Sequence, residues 1–332
     1  MRAAYYESYG PPEVVKLIDV PNPALNDNSI LIQVKASTVS AADFRLRSYT
    51  MPRGFGLLGR LAFGLFRPRM RILGSECSGV IAAIGKKVTS FKIGDDVTAF
   101  RGAKFGCHAE YVAVGANDVV TMKPAGMSFT EAASLAFGGI TALYFLRDKA
   151  ALQAHEKILV IGAAGAVGSA ALQLSRHFGA NVSTLTSKVK IPLMQKLGAD
   201  HCYDYGMVSL KDLTDTYDVI FDAVGVTDLR QCQGLLTEGG RLILAAGNLP
   251  QIMSSMRSAK KLRRKVFAGS APEVKTDLET LTALASKGCW HPVIDRVYSF
   301  SEIVAAHRYV DTGRKSGTVV ISFDPKAVPV SV

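Results

Sequence analysis

The sequence predicts an α/β chain of about two domains, in which a doubly wound parallel sheet is inserted into a β-rich, barrel-like domain. Three observations predict it. Up to about residue 120 the chain is a series of short strand-like runs divided by glycines, prolines and Asn-Asp pairs; from Lys157 strands and helices alternate; and residues 292–323 return to strands around one helix. With 332 residues, 48% hydrophobic and 20% charged, the chain has the apolar content for a large core, which excludes a disordered chain.

The strand-like runs of the first part are residues 30–35, 79–84, 96–100 and 110–114, with the turn signals of an antiparallel domain between them. The period changes after Lys123-Pro124. Ser128 with Glu131 three residues later makes a capping box, and a long apolar helical stretch follows, broken at Gly138-Gly139. A strand at 157–161 then leads into a helix to Phe178, and a strand at 181–185 into a helix to Leu197; residues 217–221, 241–245 and 265–268 supply further apolar strands. The expected division is residues 1–124 and 269–332 for the β-rich domain and 125–268 for the inserted one, with an active site in the cleft between them.

The net charge of +11 and a pI near 9.4 attract anions, whether phosphorylated cofactors, acidic surfaces or nucleic acids. Two concentrations stand out: the arginines at 45, 47, 53, 60, 67, 69 and 71, and the run Arg257, Lys260, Lys261, Arg263, Arg264, Lys265. Each reads equally as a solvated face. Five cysteines, Cys77, Cys107, Cys202, Cys232 and Cys289, are an odd number without CxxC spacing, which argues for reduced thiols and against a disulfide framework or a zinc lobe. The start, Met1-Arg2-Ala3-Ala4-Tyr5-Tyr6, lacks the pattern of a secretory signal, so a cytoplasmic protein is expected. Residues 158–175 are uncharged and nearly long enough for a membrane span, but glycines at 162, 165 and 168 divide them into a strand, a turn and a helix.

That segment carries the strongest chemical signal. The strand ending at Ile161 runs through Gly162-Ala163-Ala164-Gly165-Ala166-Val167-Gly168 straight into an alanine-rich helix. Small residues let the backbone approach a pyrophosphate, and the helix N-terminus supplies N–H groups and partial positive charge. A dinucleotide site is therefore expected. NAD sites place an acidic residue about 20 positions after the glycines to hold the ribose 2′-OH. Here no Asp or Glu occurs between Glu156 and Asp200, while Ser187, Lys188 and Lys190 follow the next strand. A hydroxyl and ammonium groups there suit a 2′-phosphate, so NADPH is the expected cofactor; the same lysines also read as a soluble helix start.

With the glycine turn, six further segments resemble the zinc-independent quinone-oxidoreductase branch of the medium-chain dehydrogenase/reductase superfamily over nearly the whole chain. They are Gly74-Ser-Glu-Cys-Ser-Gly79, Phe91-Lys-Ile-Gly-Asp-Asp-Val97, Ala109-Glu-Tyr111, Leu197-Gly-Ala-Asp200, Tyr217-Asp-Val-Ile-Phe-Asp-Ala-Val-Gly225 and Pro292-Val-Ile-Asp-Arg296. The resemblance implies a Rossmann dinucleotide-binding domain, a GroES-like β-rich domain and a homodimer joined near residues 265–270. Zinc-dependent relatives carry a metal-binding cysteine near the position of Ser40 and Gly-His-Glu where this chain has Gly74-Ser75-Glu76, so no zinc is expected.

The resemblance also implies cofactor contacts. Thr141 would lie near the nicotinamide and Tyr205 near the adenosine phosphate with Ser187 and Lys190. The ends of later strands, with Val224, Gly247, Asn248, Phe267 and Gly269, would line the ribose and carboxamide, although Ala246-Gly247 reads equally as a plain turn. Two departures fall near Asp43, where this chain has Ser40-Ala-Ala-Asp43 followed by Arg45, and at Gly317-Thr318, where a lysine contact is lost that Arg314 or Lys315 would supply.

Without a metal or an evident proton relay, direct alcohol oxidation lacks a way to stabilise an alkoxide. Small, hydrophobic, electron-poor substrates suit such a site better: quinones and α,β-unsaturated carbonyls accept hydride and take a proton from water or a nearby hydroxyl. Asp43, Arg45 and Tyr49 are candidates to orient substrate or donate that proton, and Asp43 reads equally as a turn cap. The apolar, arginine-studded segment 54–70 reads as a lid, an interfacial amphipathic segment or a packed loop. An alternative function is an NADPH-bound binding protein with weak catalysis that holds RNA on its basic surface; the basic runs lack the interleaved aromatics that stack on bases.

Overall fold

The computed structural model describes residues 1–324. The described residues form two compact units: Met1–Met51, Leu57–Phe137 and residues 273–324 make the first, and Pro52–Gly56 with Gly138–Pro272 the second.

The first unit opens with β1 (Arg2–Tyr5) and β2 (Lys16–Asp19), an antiparallel pair. β3 (Ser29–Val39) is its longest strand, followed by α1 (Ala41–Ser48), α2 (Gly56–Phe63), β4 (Glu76–Ile84), β5 (Asp96–Phe100), β6 (Tyr111–Gly115), β7 (Val120–Met122) and α3 (Phe129–Ala133). Alternation along β3 sends Ile30, Ile32 and Val34 into one core with Ile81, Val97, Val112 and Val120, while Val39 joins Leu46, Leu73, Ile303 and Ile321 in another.

The second unit holds α4 (Ala136–Leu143) from Gly138, then β8 (Lys157–Ile161), α5 (Ala166–His177), β9 (Asn181–Thr186), α6 (Ile191–Lys196), β10 (His201–Asp204), β11 (Tyr217–Asp222), α7 (Leu229–Cys232), β12 (Leu236–Leu244), α8 (Leu249–Lys261) and β13 (Lys265–Ala268). Its six strands are all parallel in the order β10-β9-β8-β11-β12-β13, with the switch of direction beside β8. β8 is buried from Ile158 to Ile161, as a central parallel strand requires. The chain then returns to the first unit with α9 (Lys275–Ser286), β14 (Ile294–Ser299), α10 (Ile303–Asp311) and β15 (Thr318–Ser322), and the large sheet there runs β14-β15-β3-β4-β5-β7 with β6 also on β3.

Two expectations need correction. Beyond the short excursion at Pro52–Gly56, which the sequence reading placed in the β-rich domain, the main division falls after Phe137 and not after residue 124, because α3 packs on β3 and β4 and the carbonyl of its Ala132 accepts from the buried Thr98 hydroxyl at 2.8 Å. The return comes at Glu273, whose carboxylate accepts from the Ala103 N–H at 2.9 Å. Gly138-Gly139 does not break a helix; the interruption lies at Ser134-Leu135, and both glycines sit inside α4. A Cβ on Gly138 would stand 2.6 Å from the Ala166 carbonyl, so the residue is small to let α4 pass the start of α5.

Candidate functional site

In the second unit the glycine turn follows β8. Gly162 has φ +75°, a left-handed conformation, and a Cβ on it would meet Val224 at 2.5 Å. A Cβ on Gly168 would stand 2.3 Å from the Gly162 carbonyl oxygen, so this residue lets α5 pack on the turn. Gly165 differs. Its N–H donates to the Gly162 carbonyl at 3.2 Å, it caps α5 without a side chain, and a Cβ there would meet nothing nearer than 3.7 Å. The space over Gly165 is thus open, and the first-turn N–H groups of Ala166, Val167 and Gly168, which a helix leaves without intrahelical acceptors, are available to an oxygen ligand. Ala163 and Ala164 are buried beneath. These residues fit a bound pyrophosphate.

The loops after β9 and β10 lie side by side. Ser187 follows β9 and opens a 3₁₀ turn, Lys188–Lys190, while the Tyr205 N–H donates to the Thr186 carbonyl at 3.0 Å. Ser187, Lys190 and Tyr205 are therefore held at the carboxyl ends of adjacent parallel strands. The sequence reading missed Asp204, which anchors this corner by accepting from the Lys188 N–H at 3.1 Å and the Gly206 N–H at 3.0 Å. Its signal was the Asp-Tyr-Gly at the end of a short, polar edge strand.

Val224 is exposed in the loop after β11, which a second missed acid builds. Asp222 is fully buried, and its carboxylate accepts from the N–H groups of Val224, Gly225, Val226 and Thr227 at 2.8–2.9 Å. Burial pushes its pKa up and these donors oppose the rise. Gly247 is buried against Leu244 and Ile252, and the Asn248 side chain caps α8 by accepting from the Gln251 N–H at 3.0 Å. Gln251 in turn donates to the Gly225 carbonyl at 3.0 Å, tying the loops after β11 and β12 together. Phe267 lies half-buried in β13, Gly269 follows at φ +120°, and Thr141 is half-buried in α4.

The remaining candidates belong to the first unit. Ser40 caps α1, and Asp43 completes a capping box: its buried carboxylate accepts from the Ser40 N–H at 2.7 Å, the Ser40 hydroxyl at 2.6 Å and the Gly74 N–H at 2.7 Å. Arg45 is half-buried, which holds its pKa below the ordinary value. Tyr49 ends α1 at φ +58°, with its ring 4.9 Å from that of Tyr9 and 3.8 Å from the Arg60 guanidinium. Arg314 is exposed after α10. Glu76 was not foreseen as a site residue. It is buried and accepts from the Thr38 hydroxyl at 2.6 Å and the Phe137 N–H at 2.7 Å, and burial, against those bonds, pushes its pKa up to about 7. Among the described residues no three His, Cys, Asp or Glu side chains are grouped to hold a metal ion, and no helix is long and apolar enough to cross a membrane. Of the basic run near residue 260, Arg264 donates to the Leu262 and Leu236 carbonyls and Arg263 pairs with Glu238 at 3.3 Å.

Two family models match: the alcohol dehydrogenase GroES-like domain over residues 26–125 and a zinc-binding dehydrogenase domain over residues 197–321. The chain is 33% identical to the 2-methylene-furan-3-one reductase of Solanum lycopersicum, over 97% of this chain and 79% of that one. It is 30% identical to the chloroplastic NADPH-dependent alkenal/one oxidoreductase of Arabidopsis thaliana with the same coverage. The solved quinone oxidoreductase of Coxiella burnetii superposes with a TM-score of 0.86 at 29% identity, covering 98% of this chain and 99% of that one. The chain belongs to the medium-chain dehydrogenase/reductase superfamily of oxidoreductases. Its relatives there include quinone oxidoreductases and alkenal reductases.

Proposed function

We propose that the protein is an NADPH-dependent, zinc-independent reductase of quinones or α,β-unsaturated carbonyls. The observation that supports this reading is the corner after β9 and β10, where Ser187 and Lys190 follow β9, Tyr205 follows β10, and the Asp204 carboxylate is taken up by the Lys188 and Gly206 N–H groups, with no Asp or Glu in the chain between Glu156 and Asp200. The relatives named for NADPH, alkenals and quinones support it.

When bound, NADPH supplies the hydride. The protein's share is placement: the turn from Gly162 to Gly168 takes the pyrophosphate, Ser187, Lys190 and Tyr205 the 2′-phosphate, and Val224, Gly247, Asn248, Phe267 and Gly269 the ribose and carboxamide side, with Thr141 toward the nicotinamide and Arg314 as a further phosphate contact. Asp43 acts on this reading as a cap and not as an acid, since its carboxylate accepts three hydrogen bonds within α1 and Gly74. The proton then comes from water or a hydroxyl, and Arg45 and Tyr49 orient the substrate. Ser40 and Ser75, hydroxyls where zinc-dependent relatives place metal ligands, support chemistry without zinc. Five free cysteines support a reducing compartment such as the cytoplasm, and the outer strand β13 is the edge along which two copies would join.

Metal analysis of the purified protein tests the zinc-free part. We expect far less than one zinc per chain and activity unchanged in chelator; about one zinc per chain, with activity lost on its removal, contradicts the reading.

A further inference from the structure

The helix α2 is built inside out. Its inward side is Phe63, half-buried against the first unit's core, Gly59, where a Cβ would stand 3.0 Å from the Tyr49 hydroxyl, and Arg60, whose guanidinium lies 3.8 Å over the Tyr49 ring and 4.8 Å over the Tyr9 ring. Tyr9 donates to the Phe63 and Gly64 carbonyls at 3.1 and 2.9 Å, and Arg60 to the Leu65 carbonyl at 2.9 Å. The side with Gly59, Arg60 and Phe63 is thus fastened to the first unit, and the leucine side faces out. Leu57, Leu58, Leu61, Leu65 and Phe66 are 73%, 59%, 59%, 50% and 85% exposed. Leu57, Leu58 and Leu61 share one helical face, where a globular helix carries its polar residues, and Leu65 and Phe66 follow in the turn after it. A contiguous apolar ridge on the outside marks a surface that something covers.

Charge decides what covers it. Between Asp43 and Glu76 the chain has seven arginines and no acidic residue. Arg47 pairs with Asp311 and Arg71 with Glu7, whereas among the described residues no carboxylate pairs with the exposed Arg53, three residues before α2 in the chain, or with the exposed Arg67 and Arg69 of the segment after it. A second copy on the same patch would bring arginines onto arginines, because a twofold interface places each patch against itself. An anionic bilayer surface meets both features at once: phosphates for the guanidinium groups, and acyl chains for a ridge too short to cross them.

We propose that α2 and the turn after it form a docking site for anionic phospholipid surfaces, lying in the plane of the interface with Leu58, Leu61 and Phe66 among the acyl chains. It stands independently of the reaction assigned above. Each arginine at an anionic surface strengthens binding by about fivefold, so three give roughly a hundredfold preference over a neutral surface.

The test is co-sedimentation of the full chain with phosphatidylcholine vesicles, with and without phosphatidylglycerol. Binding to the anionic vesicles should exceed binding to neutral ones by roughly a hundredfold at low salt and fall as salt rises. The triple variant Leu58→Ser, Leu61→Ser, Phe66→Ser should lose at least about tenfold in binding, and Arg53→Gln, Arg67→Gln, Arg69→Gln should erase the preference for anionic lipid. A second readout is Phe66→Trp, whose emission should shift to the blue on anionic vesicles; the natural Trp290 is buried with its N–H on the Leu281 carbonyl and reports on the core. Equal binding to both vesicles, or a folded serine variant that binds as the parent does, overturns the proposal. So does a parent that ignores vesicles while the serine variant changes oligomeric state or reductase activity, which would make the ridge a self-association face or a substrate lid.

Discussion

Lys190 and Glu76 illustrate what single residues reveal about this chain. Lys190 could be singled out from the sequence because it follows β9 in a stretch without Asp or Glu, and its role as a 2′-phosphate contact is a proposal. Charge-assisted hydrogen bonds to a phosphate contribute about 1.5–3 kcal/mol. Lys190→Ala should therefore weaken NADPH by roughly tenfold to a hundredfold and leave NADH nearly unchanged; equal losses in a fluorescence titration of both would assign the lysine to the fold. Glu76 was not legible, since nothing in Gly74-Ser75-Glu76 tells that its carboxylate is buried under the N–H groups of Ala136 and Phe137, sixty residues on. Its pKa is raised from the ordinary 4.5 to about 7, so the folded protein keeps a proton that the unfolded chain releases. The associated stability is complete below the unfolded value and is lost as pH rises through the folded one, a fall of up to about 3 kcal/mol. Glu76→Gln, neutral throughout, should differ little from the parent in urea unfolding near pH 5 and gain about 2–3 kcal/mol on it near pH 8. A parent and variant whose difference is the same at both pH values would contradict this.

Elements with a strong internal pattern were read well, and those defined by distant partners were not. The runs at 96–100, 157–161 and 265–268 coincide with β5, β8 and β13, because each is apolar or β-branched and bounded by turn residues. β1, β2, β10, α1, α2 and α9 escaped. β1 and β10 are four residues long, α1 hides behind Ser-x-x-Asp in place of the usual Ser-x-x-Glu box, and α2 wears its apolar face outward. The glycine turn was recognised as one element, but its glycines have different tasks. Gly165→Ala, with open space over its Cβ and φ −75°, should change stability by less than about 1 kcal/mol and yet weaken NADPH by at least about tenfold. Gly168→Val, aimed at the Gly162 carbonyl from 2.3 Å, should destabilise the second unit itself. Thermal unfolding and cofactor titration of the pair separate the two tasks; a Gly165→Ala protein that binds NADPH like the parent would remove the turn from the cofactor site.

For the molecule as a whole, the change of period along the chain was enough to anticipate an α/β unit inserted into a β-rich one, and the parallel order β10-β9-β8-β11-β12-β13 is that of a dinucleotide-binding sheet. The exact borders were beyond reach, because α3 sides with the first unit only through its packing on β3 and β4. The zinc-binding dehydrogenase model covers residues 197–321, and the reaction we propose, hydride transfer to substrates that are already electron-poor, is one that a chain with Ser40 and Ser75 could perform without the metal. The most direct measurement of that claim is turnover of a panel of quinones, alkenals and enones in the presence of a chelator, following loss of the reduced nicotinamide absorbance with NADPH and, in parallel, with NADH. We predict turnover of at least one of these classes, with kcat/KM at least about tenfold higher for NADPH and unaffected by the chelator. Failure to reduce any of them with either cofactor, or activity that disappears in chelator and returns with zinc, would contradict the account.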